Sequence, residues 1–149
     1  MRAPFQVLVI PYRWEGDSLR YCVFHRSDWD QWQFVSGGGE DEETPQEAAK
    51  REAWEEACIQ SSQWTALKSL CSIPAEAFSE ECRRHWERGT YVVPEYAFGV
   101  ACQEDVTLSP EHTECVWLPY DEATKKLTWD SNRTALYELD CRMKELAGI

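Results

Sequence analysis

Several things are scarce or missing in this chain, and each absence removes a class of function. The seven cysteines are an odd number, and they fall in neither CxxC nor Cys/His zinc spacing. A disulfide framework and a structural zinc site are both excluded as organising principles, and most of the thiols read as small core hydrophobes. No signal peptide and no long apolar run is present, so a membrane span is not expected and a reduced, cytoplasmic setting is. Basic residues are few, 15 Lys and Arg against 27 Asp and Glu, for a formal net charge of −12. A nucleic-acid backbone or an anionic membrane would be repelled by that balance, whereas free nucleotides stay open as ligands because bound divalent cations invert the local charge. Internal repeats, low-complexity tracts and linkers are also lacking. At 149 residues the chain has room for one domain with a sizeable core and too little for two ordinary ones. One domain spanning 1–149 is the expectation.

What is present is concentrated between Ser36 and Ile59, SGGGEDEETPQEAAKREAWEEACI. Gly37, Gly38 and Gly39 are read as a glycine-rich loop able to approach a ligand closely. A helix follows. Thr44 suits its N-cap, Pro45 its first position, and Glu47 stands three residues beyond Thr44 as a capping box requires. Along that helix Glu52, Glu55 and Glu56 stand at i, i+3 and i+4, which puts three carboxylates on one face. Ala48, Ala49, Ala53 and Ala57 leave the opposite side small enough to pack on a sheet. An acidic helix face taken alone is usually just solvated surface. Here it comes with a glycine segment, Glu43 and Arg51 at fixed spacing, and clustered carboxylates suit a hard cation such as Mg2+, or Mn2+, that also binds substrate phosphates.

Gly37, Glu43, Arg51-Glu52 and Glu55-Glu56 fall on a long pattern, a glycine, five residues, Glu, seven residues, Arg-Glu, then a Glu-Glu pair, and in this the chain resembles the Nudix hydrolases. Cys58 and Glu42 stand where that family commonly has glycine, which predicts altered backbone geometry there. The resemblance implies an α/β fold, an α/β/α sandwich with a mixed β-sheet flanked by helices. It also implies hydrolysis of a pyrophosphate linkage, with metal held by Glu52, Glu55, Glu56 and Glu111. Arg51 would hold the glutamates by ion pairing and Glu43 would orient a ligand, while Glu55, Glu56 and Glu111 all stay open as the base. The wording WQFVSGG is similar to members acting on pterin or purine nucleoside triphosphates, and also to the dinucleoside polyphosphate branch. The leading expectation is therefore a pyrophosphohydrolase of dihydroneopterin triphosphate or dATP type. A dinucleoside polyphosphate or ADP-ribose hydrolase is the enzymatic alternative, and a non-catalytic nucleotide-binding module the alternative of another class. The expected partner is a small nucleotide; a homodimer is the assembly considered.

Around this unit, Phe5–Tyr12 is a predicted strand with Pro11 near its end, and Gly16-Asp17 turns the chain into a second strand over Leu19–His25. Gly37, Gly38, Arg26, Trp32, Phe34, Glu114 and Asn132 are the candidate substrate-binding residues, although core is the safer reading of Phe34. Trp64–Ile73 is expected as one or two strands, and Pro74–Arg88 as a loop or short helix that could act as a lid, with His85 solvated. Thr90–Cys102 reads as a strand pair broken at Pro94, with Tyr96 and Phe98 on one face and Glu95 facing either a cleft or a sheet edge. In Leu108–Tyr120, Glu111 is the favoured extra acid, with Glu114 second and His112 a candidate proton shuttle. Asp121 is expected to cap a helix. Ser131–Ala147 reads as an amphipathic helix with Ala135, Leu136, Leu139 and Met143 inward, and Asn132 and Arg133 reaching toward the ligand.

Overall fold

A computed structural model of the chain describes residues 1–148. Seven strands form one mixed sheet: β1 Arg2–Glu15, β2 Ser18–Arg26, β3 Trp32–Gln33, β4 Val35–Glu40, β5 Trp64–Pro74, β6 Val92–Ala101 and β7 His112–Leu118. The main path runs β3-β2-β1-β6-β5, with β4 paired to β1 and β7 to β2. Helix α1 Pro45–Ala57 follows β4, the short α2 Glu80–Arg83 follows β5, and α3 Tyr120–Lys126 and α4 Asp130–Leu146 complete the chain.

Strand alternation sorts the core into two layers. Val7 and Val9 of β1, with Cys22 and Phe24 of β2, pack against Ala48, Ala49, Ala53 and Ala57 of α1. The intervening Leu8, Ile10, Tyr21 and Val23 face Ala135, Leu136, Leu139 and Met143 of α4 and Ala123 of α3. Helices thus cover both faces of a mixed sheet, as the sequence implied. Among the described residues no helix is long and apolar enough to cross a membrane.

Strand β1 runs well past the predicted limit, and Pro11 lies inside it. On one side β1 pairs with β4 as far as Val9 and with β2 from Tyr12 onward. Pro11 falls in the gap between these two ladders, where its missing N–H interrupts neither. The Gly16-Asp17 turn closes a two-residue hairpin, with Gly16 at φ +66°. The expected break at Pro94 is absent. Strand β6 is continuous, because its parallel pairing with β1 begins one residue later, at Glu95. Asp121 does not cap α3; the N-cap is Pro119 and Asp121 sits in the first turn.

Candidate active site

The glycine segment is a strand rather than a loop. Ser36, Gly37 and Gly38 pair with Leu8, Val7 and Gln6 of β1, and the positive-φ turn falls further on, at Asp41. What the glycines provide is room. A Cβ on Gly37 would lie 2.1 Å from the Glu52 carboxylate carbon, and one on Gly38 would lie 1.7 Å from the Arg2 guanidinium. The acidic helix can therefore press Glu52 directly onto the backbone of β4.

Helix α1 begins as its sequence dictates, with Thr44 accepting from the Glu47 N–H and Glu47 accepting from the Thr44 N–H. It ends with Cys58 in the left-handed region, φ 54°. A glycine-type geometry is thus kept without glycine, contrary to the altered backbone expected there. Arg51 donates to both oxygens of Glu43, at 2.8 and 3.0 Å, to Glu52 at 2.8 Å, to Glu55 at 3.1 Å and to the Gly38 carbonyl at 2.7 Å. One guanidinium therefore ties the turn, the glycine strand and two helix glutamates together. The pairing holds the Glu43 carboxyl below its usual range, since Arg51 outweighs the modest burial. Glu43, occupied in both oxygens by Arg51 and accepting also from the Glu40 N–H, braces this arrangement.

Glu56 is 3 % exposed, and its Oε2 has no hydrogen-bond partner. Burial, and then the neighbouring Glu111 and Glu52 carboxylates, push its carboxyl far above the usual range. Glu52 is raised as well, chiefly by burial. Mutually close, desolvated carboxylates need either a shared proton or a cation. Among the described residues no three acidic, His or Cys side chains already form a metal cage. The donor set nonetheless fits a hard dication, because an orphaned buried carboxylate oxygen stands beside two further carboxylates and a strand stripped of side chains. Glu55 faces solvent, its side chain 53 % exposed.

Beside this cluster lies a cavity of about 520 Å³ walled by β1 to β6 and the start of α4. Arg26 and Asn132 line it, together with Gln6, Gln33, Ser36, Glu95, Phe78 and Trp129. Arg26 joins the two halves of the site, since it also feels the charge of Glu111 and Glu56, although Asp28 holds its guanidinium through two hydrogen bonds of 2.6–2.7 Å. Four candidates do not line the cavity. Phe34 is fully buried in the α4-side core and only its N–H, donating to Asn132 Oδ1, touches the cavity wall. Trp32 packs at a tilt against His25 and carries Lys126 over its ring, so its face is already covered. Glu114 is exposed on β7 opposite His25 and does not line the cavity. Arg133 likewise turns away, donating to the Leu127 carbonyl and to Asp130. His112 is buried against Phe24, and burial lowers its pKa, which leaves it neutral. His85 is exposed, as expected.

Sequence reasoning missed Gln33, Phe78 and Trp129 altogether, and it left Glu95 undecided. These residues carry no common spacing, because the cavity is assembled from widely separated elements.

The NUDIX domain model matches residues 4–139. The chain belongs to the Nudix family. A NUDIX hydrolase from Listeria monocytogenes is 47 % identical, with 97 % of each chain covered and a TM-score of 0.84. Dihydroneopterin triphosphate pyrophosphohydrolase from E. coli is 25 % identical over 91 % of this chain and 93 % of its own, with a TM-score of 0.71. An Ap4A hydrolase from C. elegans shares the fold at 20 % identity, with 99 % and 100 % covered and a TM-score of 0.68. No curated protein matches. Membership of the Nudix hydrolases makes this chain an enzyme of the pyrophosphohydrolase class.

Proposed function

We propose that the chain hydrolyses the phosphoanhydride of a nucleoside triphosphate or a related compound, of dihydroneopterin triphosphate or dATP type, with magnesium or manganese as cofactor. The observation that carries this reading is the buried, partnerless Glu56 oxygen among Glu52 and Glu111, next to a cavity large enough for a heterocycle and joined to it by Arg26. Glu52, Glu56 and Glu111 would hold the cation. The chemistry supplied by a bound dication is neutralisation of phosphate charge and activation of a water. Arg51 keeps Glu52 and Glu55 in position, Gly37 and Gly38 make room for Glu52 and Arg2 against β4 beside the substrate phosphates, and Arg26 swings from Asp28 to a phosphate oxygen. The base falls to Glu55 or Glu111, the two acids open to solvent.

A panel of dihydroneopterin triphosphate, dATP, GTP, a dinucleoside polyphosphate and ADP-ribose, with magnesium and separate detection of phosphate and pyrophosphate, tests the proposal. Turnover of a triphosphate that falls at least about a hundredfold in Glu56→Gln supports it. Preference for the dinucleoside polyphosphate or ADP-ribose would move the substrate to the alternative branch, and no turnover of any member would make the chain a binding module. The same reading includes a cytoplasmic setting, which suits the seven free cysteines, and a homodimer across the free edge of β5, to be checked by sedimentation velocity.

A further inference from the structure

The cavity contains one charged group that the hydrolytic chemistry does not use. Glu95 of β6 is 7 % exposed, and the cavity is lined by it. It is not at a sheet edge, since β6 is paired with β1 on one side and β5 on the other. Burial pushes its carboxyl up, and the one group opposing this is the neighbouring Ser131 hydroxyl; no cation pairs with it among the described residues. A buried carboxylate without a counter-charge is costly unless something else donates to it. The remaining polar lining is specific in kind. Gln33 is 7 % exposed, and its Oε1 accepts from Trp129 Nε1 at 3.3 Å, which leaves its amide N–H groups to donate. Asn132 Oδ1 accepts from the Phe34 N–H at 3.0 Å and its Nδ2 donates to the Ser131 hydroxyl at 3.3 Å, which leaves its second amide N–H to donate. Gln6 is held in place by its neighbours, accepting from Arg2 and donating to Ser36. Ile73, Pro74, Phe78 and Trp129 supply apolar walls suited to a flat ring.

We propose that Glu95 is the specificity-determining residue of this cavity, accepting the adjacent ring N–H and exocyclic amine of a 2-amino-4-oxo pyrimidine ring, as in guanine or a pterin, while a buried side-chain amide donates to the ring carbonyl. Two acceptor oxygens match two neighbouring donors. Adenine offers a donor beside a lone pair on that edge, and the lone pair would face a carboxylate oxygen with no proton between them. The inference rests on the nucleotide reading above and narrows it, against dATP, ADP-ribose and adenine dinucleotides alike.

The test is calorimetric titration of the full chain with the α,β-methylene analogues of guanosine and adenosine triphosphate, with magnesium at about pH 8, well above the ordinary carboxylate range. The guanosine analogue is expected to bind at least about tenfold more tightly. Glu95→Gln presents one acceptor and one donor, which matches adenine, so it loses guanosine affinity and gains adenosine affinity, inverting the ratio. Equal wild-type affinities, or a variant that binds both analogues as before or weakens both in parallel, overturn the proposal. Should Glu95→Gln fail to melt cooperatively, Glu95→Asp decides: it keeps the guanosine preference if the carboxylate reads the ring and loses it otherwise. Cleavage of the natural triphosphates is scored separately. Glu95-dependent discrimination without turnover overturns the hydrolase reading and leaves this one intact, whereas turnover without discrimination does the reverse.

Discussion

Cys58 ends α1 in a conformation that costs a residue with a Cβ about 1–2 kcal/mol, and its N–H still closes the helix by donating to the Trp54 carbonyl at 2.9 Å. Glycine removes that strain and gives back part of the gain as unfolded-state entropy. Cys58→Gly is therefore expected to stabilise the fold by about 0.5–1 kcal/mol, read from the shift in urea midpoint at unchanged slope. A loss of stability would mean that the exposed thiol makes a contact worth more than the strain. At this scale the signature was legible, because capping boxes and same-face carboxylates are local consequences of helix geometry. Glu95 was not, since a carboxylate in an apolar run reads the same whether it meets solvent or a cavity until the strands beside it are known.

Between elements, β5 departs from its register with β6 from Ala66 to Leu70, and the amides released there are gathered by α4. Glu138 accepts from the Lys68 N–H at 2.8 Å and from the Ser69 N–H and hydroxyl at 2.7 and 2.8 Å, with Arg142 at 2.7 Å behind it. Burial alone would raise this carboxyl, but the Lys68 amide, the Ser69 hydroxyl and Arg142 outweigh it and hold it down to about 2, against the usual 4.5. Its stabilising effect is present in full above the unfolded value and fades as the pH falls from about 4.5 toward 2. Glu138→Ala should cost about 2–3 kcal/mol at neutral pH, and denaturant titrations at about pH 3 should find that deficit reduced. An equal deficit at both values would mean packing rather than charge. Hydrophobic alternation predicted the strand and the helix on either side, yet nothing in a single sequence marks a bulge whose partner lies in the last helix. For the same reason WQFV offered Trp32 as an aromatic near the cleft, whereas the aromatics that line the cavity are Phe78 and Trp129.

Taken whole, the molecule carries a net charge of −12 and gathers buried carboxylates on one face of α1. Self-repulsion of this kind is relieved by a bound dication more than by screening. At about a hundred times its dissociation constant, magnesium should add about 2.7 kcal/mol, a rise in melting temperature of roughly 5–10 °C that a chelator reverses. The Glu56→Gln chain should lack most of the rise; an equal rise would assign the effect to the surface as a whole. A last consequence concerns time. The glycine strand is held by β1, and the other edge of β1 is closed only by β6, with Gln6 beside Glu95 and Tyr12 beside Ala101. An emerging chain that has reached Ile59 already contains every signature residue, but half of their support and the whole of Glu111 are still to be synthesised. Because distant pairings of this kind form late, a signature written in the first half of the chain becomes competent only when the second half has folded onto it.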